Sequence, residues 1–184
     1  MKLATLLLGL ALAWPLPGQA AATQELQVHK LGESYQVDAS LLAPVPLLLA
    51  WNVLTDFDAM AAFVPNLEQS RVTERGALRV LLWQEGEAHF GPFAHRFESL
   101  RRIDLQPYSL IRSSQLHGTL RKMESVTTLT EVAGGTRITY RVELVPALSM
   151  PGFMGEAVVR HEVREQLEAI VAEMVRRQSS RPPR

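Results

Sequence analysis

The sequence predicts an α+β domain: seven antiparallel strands in a curved sheet, two short helices between the first strand and the second, and one long C-terminal helix laid across the sheet. Three observations predict it. Along residues 136–145, Ile138, Tyr140, Val142 and Leu144 share one face while Arg137, Thr139, Arg141 and Glu143 share the other, the period-two pattern of a strand with one side in the core. Turn chemistry recurs at near-regular intervals, at Gly76, Gly91-Pro92, Pro107, Gly118 and Gly134-Gly135, with β-rich runs between, as in a meander of hairpins. Near the C-terminus, Met154, Ala157, Val158, His161, Leu167, Ile170, Val171 and Met174 fall largely along one stripe of a helix whose other side is charged.

Residues 1–22 read as an address rather than as part of the fold. Lys2 precedes an apolar run over residues 3–14, then Pro15, Pro17 and the small residues Ala20, Ala21 and Ala22, the layout of a cleavable signal peptide. Cleavage after Ala20 or Ala22 predicts a periplasmic or secreted protein with no stable membrane anchor, because no other run reaches the roughly 20 apolar residues a spanning helix needs. Residues 23–178 then form one domain. The chain contains no cysteine, so disulfides, thiol catalysis and a lipidated N-terminal cysteine are all excluded. Without the leader, 18 basic residues face 19 acidic ones. That near-neutral balance argues against nucleic-acid binding, which draws on a marked basic excess.

Each element follows in order. Residues 35–41 alternate as a first, half-buried strand. Pro44 and Pro46 open a segment, 47–63, whose apolar residues Leu48, Trp51, Val53, Leu54, Phe57 and Met60 are spaced for helices. It divides into two, with Asp56 as N-cap of the second and Pro65-Asn66 as its end. Strands follow over 68–75, 78–90, 93–105, 108–117, 120–132 and 136–145. Pro146 breaks the last of them, and Pro151 suits the first turn of a helix running to about Arg177. Residues 179–184, with two prolines and two arginines, read as a disordered tail.

Several stretches carry a family resemblance: Trp51-Asn-Val-Leu-Thr-Asp-Phe with Phe63-Val-Pro-Asn-Leu, Gly86-Glu-Ala-His-Phe-Gly-Pro-Phe, Gly118-Thr-Leu-Arg-Lys-Met and Gly134-Gly-Thr-Arg-Ile-Thr-Tyr. From about Tyr35 to Met174 the chain resembles the polyketide cyclase/dehydrase and coenzyme Q-binding branch of the START-like (SRPBCC) superfamily. The resemblance implies the helix-grip fold, a seven-stranded sheet wrapped around the terminal helix. It also implies a cavity between them for lipids, quinones, polyketides or other apolar molecules. Similar sequences often carry a large aromatic near Thr127, so a threonine there implies a roomier or more polar pocket.

The expected lining is Phe90, Phe93, His95, Phe97, Met123, Thr127, Tyr140, Phe153, Met154 and Ala157. Ordinary core packing also accounts for many of these side chains. Tyr140 stands out because a buried hydroxyl needs a partner, which a ligand carbonyl would supply. The leading expectation is carriage of an apolar small molecule or lipid, fatty acyl, quinone or polyketide-like, by a monomer or weak dimer, with no cofactor and no metal. The alternative is a cyclase or dehydratase using His89, His95 and Tyr140 as acid-base groups, with Glu87 beside His89. The plainer reading puts both histidines at a solvated hairpin rim. Arg79, Arg96, Arg101 and Arg102 alternate with Glu85, Glu87, Glu98 and Asp104 and read as a mixed solvent face. Ser113, Ser114 and Ser125 have no nucleophile-elbow setting, and the histidine spacing matches no zinc or iron motif.

Overall fold

The sheet has eight strands rather than seven. A computed structural model describes residues 23–90, 93–147 and 152–180; the expected leader and the last four residues lie outside them. The additional strand is β1 (Thr23–Leu31), which pairs with β2 (Ser34–Ala43) through a two-residue turn where Gly32 takes a left-handed conformation at φ 62°. Its alternation is weak in the sequence because β1 is an edge strand. Of its side chains described, only Val28 is deeply buried.

After β2 come α1 (Leu47–Leu54) and a 3-10 helix (Phe57–Ala62), the two short helices expected. The meander follows: β3 (Leu67–Arg75), β4 (Arg79–Phe90), β5 (Phe93–Gln106), β6 (Leu110–Gly118), β7 (Lys122–Val132) and β8 (Gly135–Val145). The spatial order is β1-β2-β8-β7-β6-β5-β4-β3, every neighbour antiparallel. The two short helices therefore carry the chain from β2 to the opposite rim. The long helix α2 (Gly152–Ser179) completes the fold.

Strict alternation gives the sheet its inner face. In β2, Tyr35, Val37, Ala39, Leu41 and Ala43 are buried and their neighbours are not, and α2 offers Val159, Val163, Leu167, Val171 and Met174 to the same core. These lie almost four residues apart, starting from the buried Gly155. The stripe expected through Ala157 and His161 is thus out of phase, and both of those residues are exposed. The phase is set at the first turn, where Gly155 lies flat against the Tyr35 ring. A Cβ there would fall 1.9 Å from the Tyr35 hydroxyl.

Both rims of the sheet are partly capped. On β1, the Lys30 amide donates to Glu156 Oε1 of α2 at 3.2 Å, and Arg160 Nη1 of α2 donates to the Leu26 carbonyl at 3.0 Å. On β3, the Val72 amide donates to Asp58 Oδ1 of the 3-10 helix at 2.7 Å. The helix α2 also reaches the far side. Glu162 accepts from Asn66 Nδ2 at 3.1 Å, and Arg177 bonds Asp56 Oδ2 at 2.7 Å while its guanidinium lies 5.7 Å over the Phe63 ring. Asp56 precedes the 3-10 helix as expected, but its carboxylate serves Arg177 and caps nothing.

Candidate functional site on the concave face

The backbone of α2 comes close to β1, β2 and α1, with few or no such approaches to β4–β7. The inward side chains on that uncovered stretch are small or polar. From β4 to β8 they include Gln84, Arg101, Ser113, Gln115, Ser125, Thr127 and Tyr140, ringed by Leu82, Ile103, Ile111, Leu129 and Ile138.

Arg101 faces inward by the regular alternation of β5, in phase with the buried Ile103 and opposite the buried Leu82 of β4, and the pairing with β6 is irregular beside it. Leu100 faces His117 while Arg101 faces Gln115, so β6 holds Leu116 as an extra residue, and that leucine is exposed. A bulge of this kind bends its strand and re-aims side chains. Inside, Arg101 Nη2 donates to Gln84 Oε1. Gln84 Nε2 in turn donates to Ser70 Oγ at 2.8 Å and contacts Met60 Sδ at 3.6 Å, and the Ser70 hydroxyl donates to the Phe57 carbonyl at 2.6 Å. A relay of neutral groups thus fixes the guanidinium from the β3 rim. The reading of Arg101 as part of a solvent face is thereby corrected. Arg79, Arg96 and Arg102 do meet carboxylates at the surface, whereas Arg101 turns inward.

Burial lowers the Arg101 pKa from its ordinary value, and the nearby Tyr140 opposes that shift. Burial raises the Tyr140 phenol, opposed by the Arg101 charge and by a hydrogen bond with Ser125. At neutral pH the same face therefore carries a guanidinium and a neutral phenol. Both side chains are deeply enclosed yet keep some accessible surface, the combination expected of groups that border an internal space rather than a packed core. Three buried atoms on the same face, Arg101 Nε, Ser113 Oγ and Gln115 Oε1, have no hydrogen-bond partner among the described residues, and neither does the Tyr35 hydroxyl. Native interiors seldom leave such groups orphaned without a reason.

The structure brings together only part of the predicted lining. Met123, Thr127 and Tyr140 lie half-buried on the concave face. Phe97 is half-buried beside Gly86, in an open groove of about 310 Å³ bordered by Glu68, Glu85 and Glu98. Those carboxylates make the groove unsuited to an apolar ligand. His95 and Ala157 depart from expectation, since both are exposed. His95 sits near the tip of the β4–β5 hairpin, and Ala157 is on the outer side of α2. Glu87 pairs with Arg96 across the same hairpin, at 3.2 Å. The side chains of His89, Phe90, Phe93, Phe153 and Met154 lie outside the described residues. Sequence reasoning missed Arg101, Gln84, Ser113 and Gln115. The only signal available was polar residues at inward parity, and the doubled Arg101-Arg102 and Ser113-Ser114 made parity ambiguous. Among the described residues, no three His, Asp or Glu side chains converge as a metal site, and no helix is long and apolar enough to cross a membrane.

A curved antiparallel sheet gripping a terminal helix, with a half-polar inner face, defines the START-like class. The model of the polyketide cyclase/dehydrase and lipid transport family matches residues 43–171, and the chain belongs to that family. Solved structures share the fold. The Zhui aromatase/cyclase from Streptomyces sp. R1128 is similar with a TM-score of 0.69 at 20% identity, over 80% of this chain and 97% of that one. A STAR-related lipid transfer protein from Xanthomonas axonopodis gives 0.70 at 12% identity, over 88% and 97%. Human STARD10 gives 0.62 at 8% identity, over 84% and 74%. No curated protein matches the chain in sequence.

Proposed function

We propose that the protein binds and carries an apolar small molecule or lipid between the concave sheet face and α2, outside the cytoplasm. The observation that carries this reading is the half-polar inner face of β4–β8, where Gln84, Arg101, Ser113, Ser125 and Tyr140 stand in place of the apolar side chains of a hydrophobic core, on strands to which α2 makes few or no close backbone approaches. The family's association with lipid transport and the lipid transfer protein among the similar folds support it. Burying about 300 Å² of apolar ligand surface would contribute on the order of 7 kcal/mol before ordering costs, enough for useful affinity. The leader-like residues 1–22 support export.

The test is native mass spectrometry after gentle purification, together with melting curves in the presence of fatty acids, quinones and phospholipids. A bound mass, or a melting temperature that rises with ligand concentration, is the expected result. A protein that stays empty and whose melting point none of these compounds moves would refute carriage.

One observation favours a second reading, cyclase or dehydratase chemistry. The neutral Tyr140 phenol and the Arg101 guanidinium share the concave face and bias each other's ionisation, a combination able to polarise a carbonyl and donate a proton to it. His95 contributes nothing to that reading, because it is exposed.

A further inference from the structure

We propose that the molecule carried in this site bears a carboxylate, bound by Arg101 and Ser113; this rests on the carrier reading above. Arg101 is the enclosed arginine of the concave face, and no carboxylate among the described residues pairs with it. Its hydrogen-bond partner is the neutral Gln84. Elsewhere the molecule pairs its arginines freely: Arg79 with Asp104, Arg141 with Asp38, and Arg177 with both Asp56 and Glu173. A guanidinium taken out of water without a counter-charge is costly unless something supplies one.

The unsatisfied atoms indicate where that charge belongs. Arg101 Nε is a donor without an acceptor, and the Ser113 hydroxyl, on the same face one residue pair along, is a second. Two unsatisfied donors on one face, one of them cationic, match the two oxygens of a carboxylate. The site offers a single positive charge. A phosphate monoester, near −2 at neutral pH, would leave part of its charge unmatched, which favours the carboxylate. Arg101, in phase with the buried Ile103, and Ser113, paired with Ile103, both face inward, and the bulge at Leu116 follows Gln115, the partner of Arg101.

The experiment compares laurate, methyl laurate and dodecyl phosphate on the whole mature protein, by calorimetry at pH 8. Laurate is expected to bind at least about tenfold more tightly than its ester, the usual worth of a charge-assisted hydrogen bond. Arg101→Met should bring the ratio close to one by weakening laurate alone, and Ser113→Ala should lower laurate affinity several-fold with the ester unchanged. Equal affinity for acid and ester in the unaltered protein would overturn the acidic head group while leaving carriage intact. Tightest binding of dodecyl phosphate would overturn the carboxylate. Failure of all three compounds to bind would remove both this inference and the carrier reading. The comparison in the unaltered protein decides the matter even if Arg101→Met does not fold.

Discussion

Tyr35 and Gly155 show how tightly single residues are constrained where α2 meets the sheet. The Tyr35 ring is almost fully buried and its hydroxyl has no partner among the described residues, and α2 can approach only because residue 155 has no side chain. Gly155→Ala should destabilise the fold by about 1–3 kcal/mol through overpacking. Tyr35→Phe, which deletes a hydroxyl with no bond to lose, should stay within about 1 kcal/mol of the parent. Combining the two should recover part of the Gly155→Ala loss, as measured by urea denaturation. Strict additivity would refute the steric account. At this scale little is legible in the sequence. A glycine inside an amphipathic helix signals close approach to something without saying to what, and Arg101 beside Arg102 gives no indication of which of the two faces inward. The phase of β5 decides it, since Arg101 alternates with the buried Ile103 and faces the buried Leu82, while the bulge beside it in β6 is marked only by Leu116, an apolar residue with nothing to distinguish it.

The elements themselves are much easier to read. Alternation in β8 and the hairpin turns at Gly134-Gly135 and Gly118 follow from steric rules that operate within a few residues, so β3–β8 and α2 can be placed from the order of amino acids alone. The strand β1 cannot, because an edge strand buries too little to impose a clean pattern. The phase of α2 also depends on a distant ring. Within α2, Glu173 is buried near the C-terminal end, where it accepts from Arg176 Nε and Arg177 Nε, both at 2.6 Å. Arg176 chiefly, with Arg177, holds its pKa down to about 2 against burial, which pushes the other way. A carboxyl whose pKa is lower when folded stabilises the protein above its unfolded value. That contribution is lost as pH falls from about 4.5 towards about 2. Glu173→Gln should therefore cost on the order of 1–2 kcal/mol at pH 7, since Arg176 is largely exposed and solvent screens it. It should also flatten the acid limb of the stability curve. An unchanged slope below pH 4.5 would refute the assignment.

For the whole molecule, the mature chain would begin beside its own sheet. Cleavage after Ala20 or Ala22 would leave Thr23, the first residue of β1, at or near the new N-terminus. N-terminal sequencing of the exported protein is expected to read from Ala21 or Thr23. A version beginning at Gly32, without β1, should lose several kcal/mol, because β2 would surrender a full ladder and α2 its bonds to Leu26 and Lys30. If that shortened chain melts at the parent temperature, β1 is ornamental and the rim contacts carry no weight.

The partly capped rims have a further consequence for how such a protein fails. Fibril seeding needs a bare strand on which a foreign segment can template, and each end of this sheet has part of its edge occupied while the helices stay seated. The step that exposes one is the lifting of α2 from Leu26 and Lys30, or of the 3-10 helix from Val72. Loss of the contacts that Glu156 and Asp58 make with those strands would let self-association begin at the margins while the centre of the sheet is still intact.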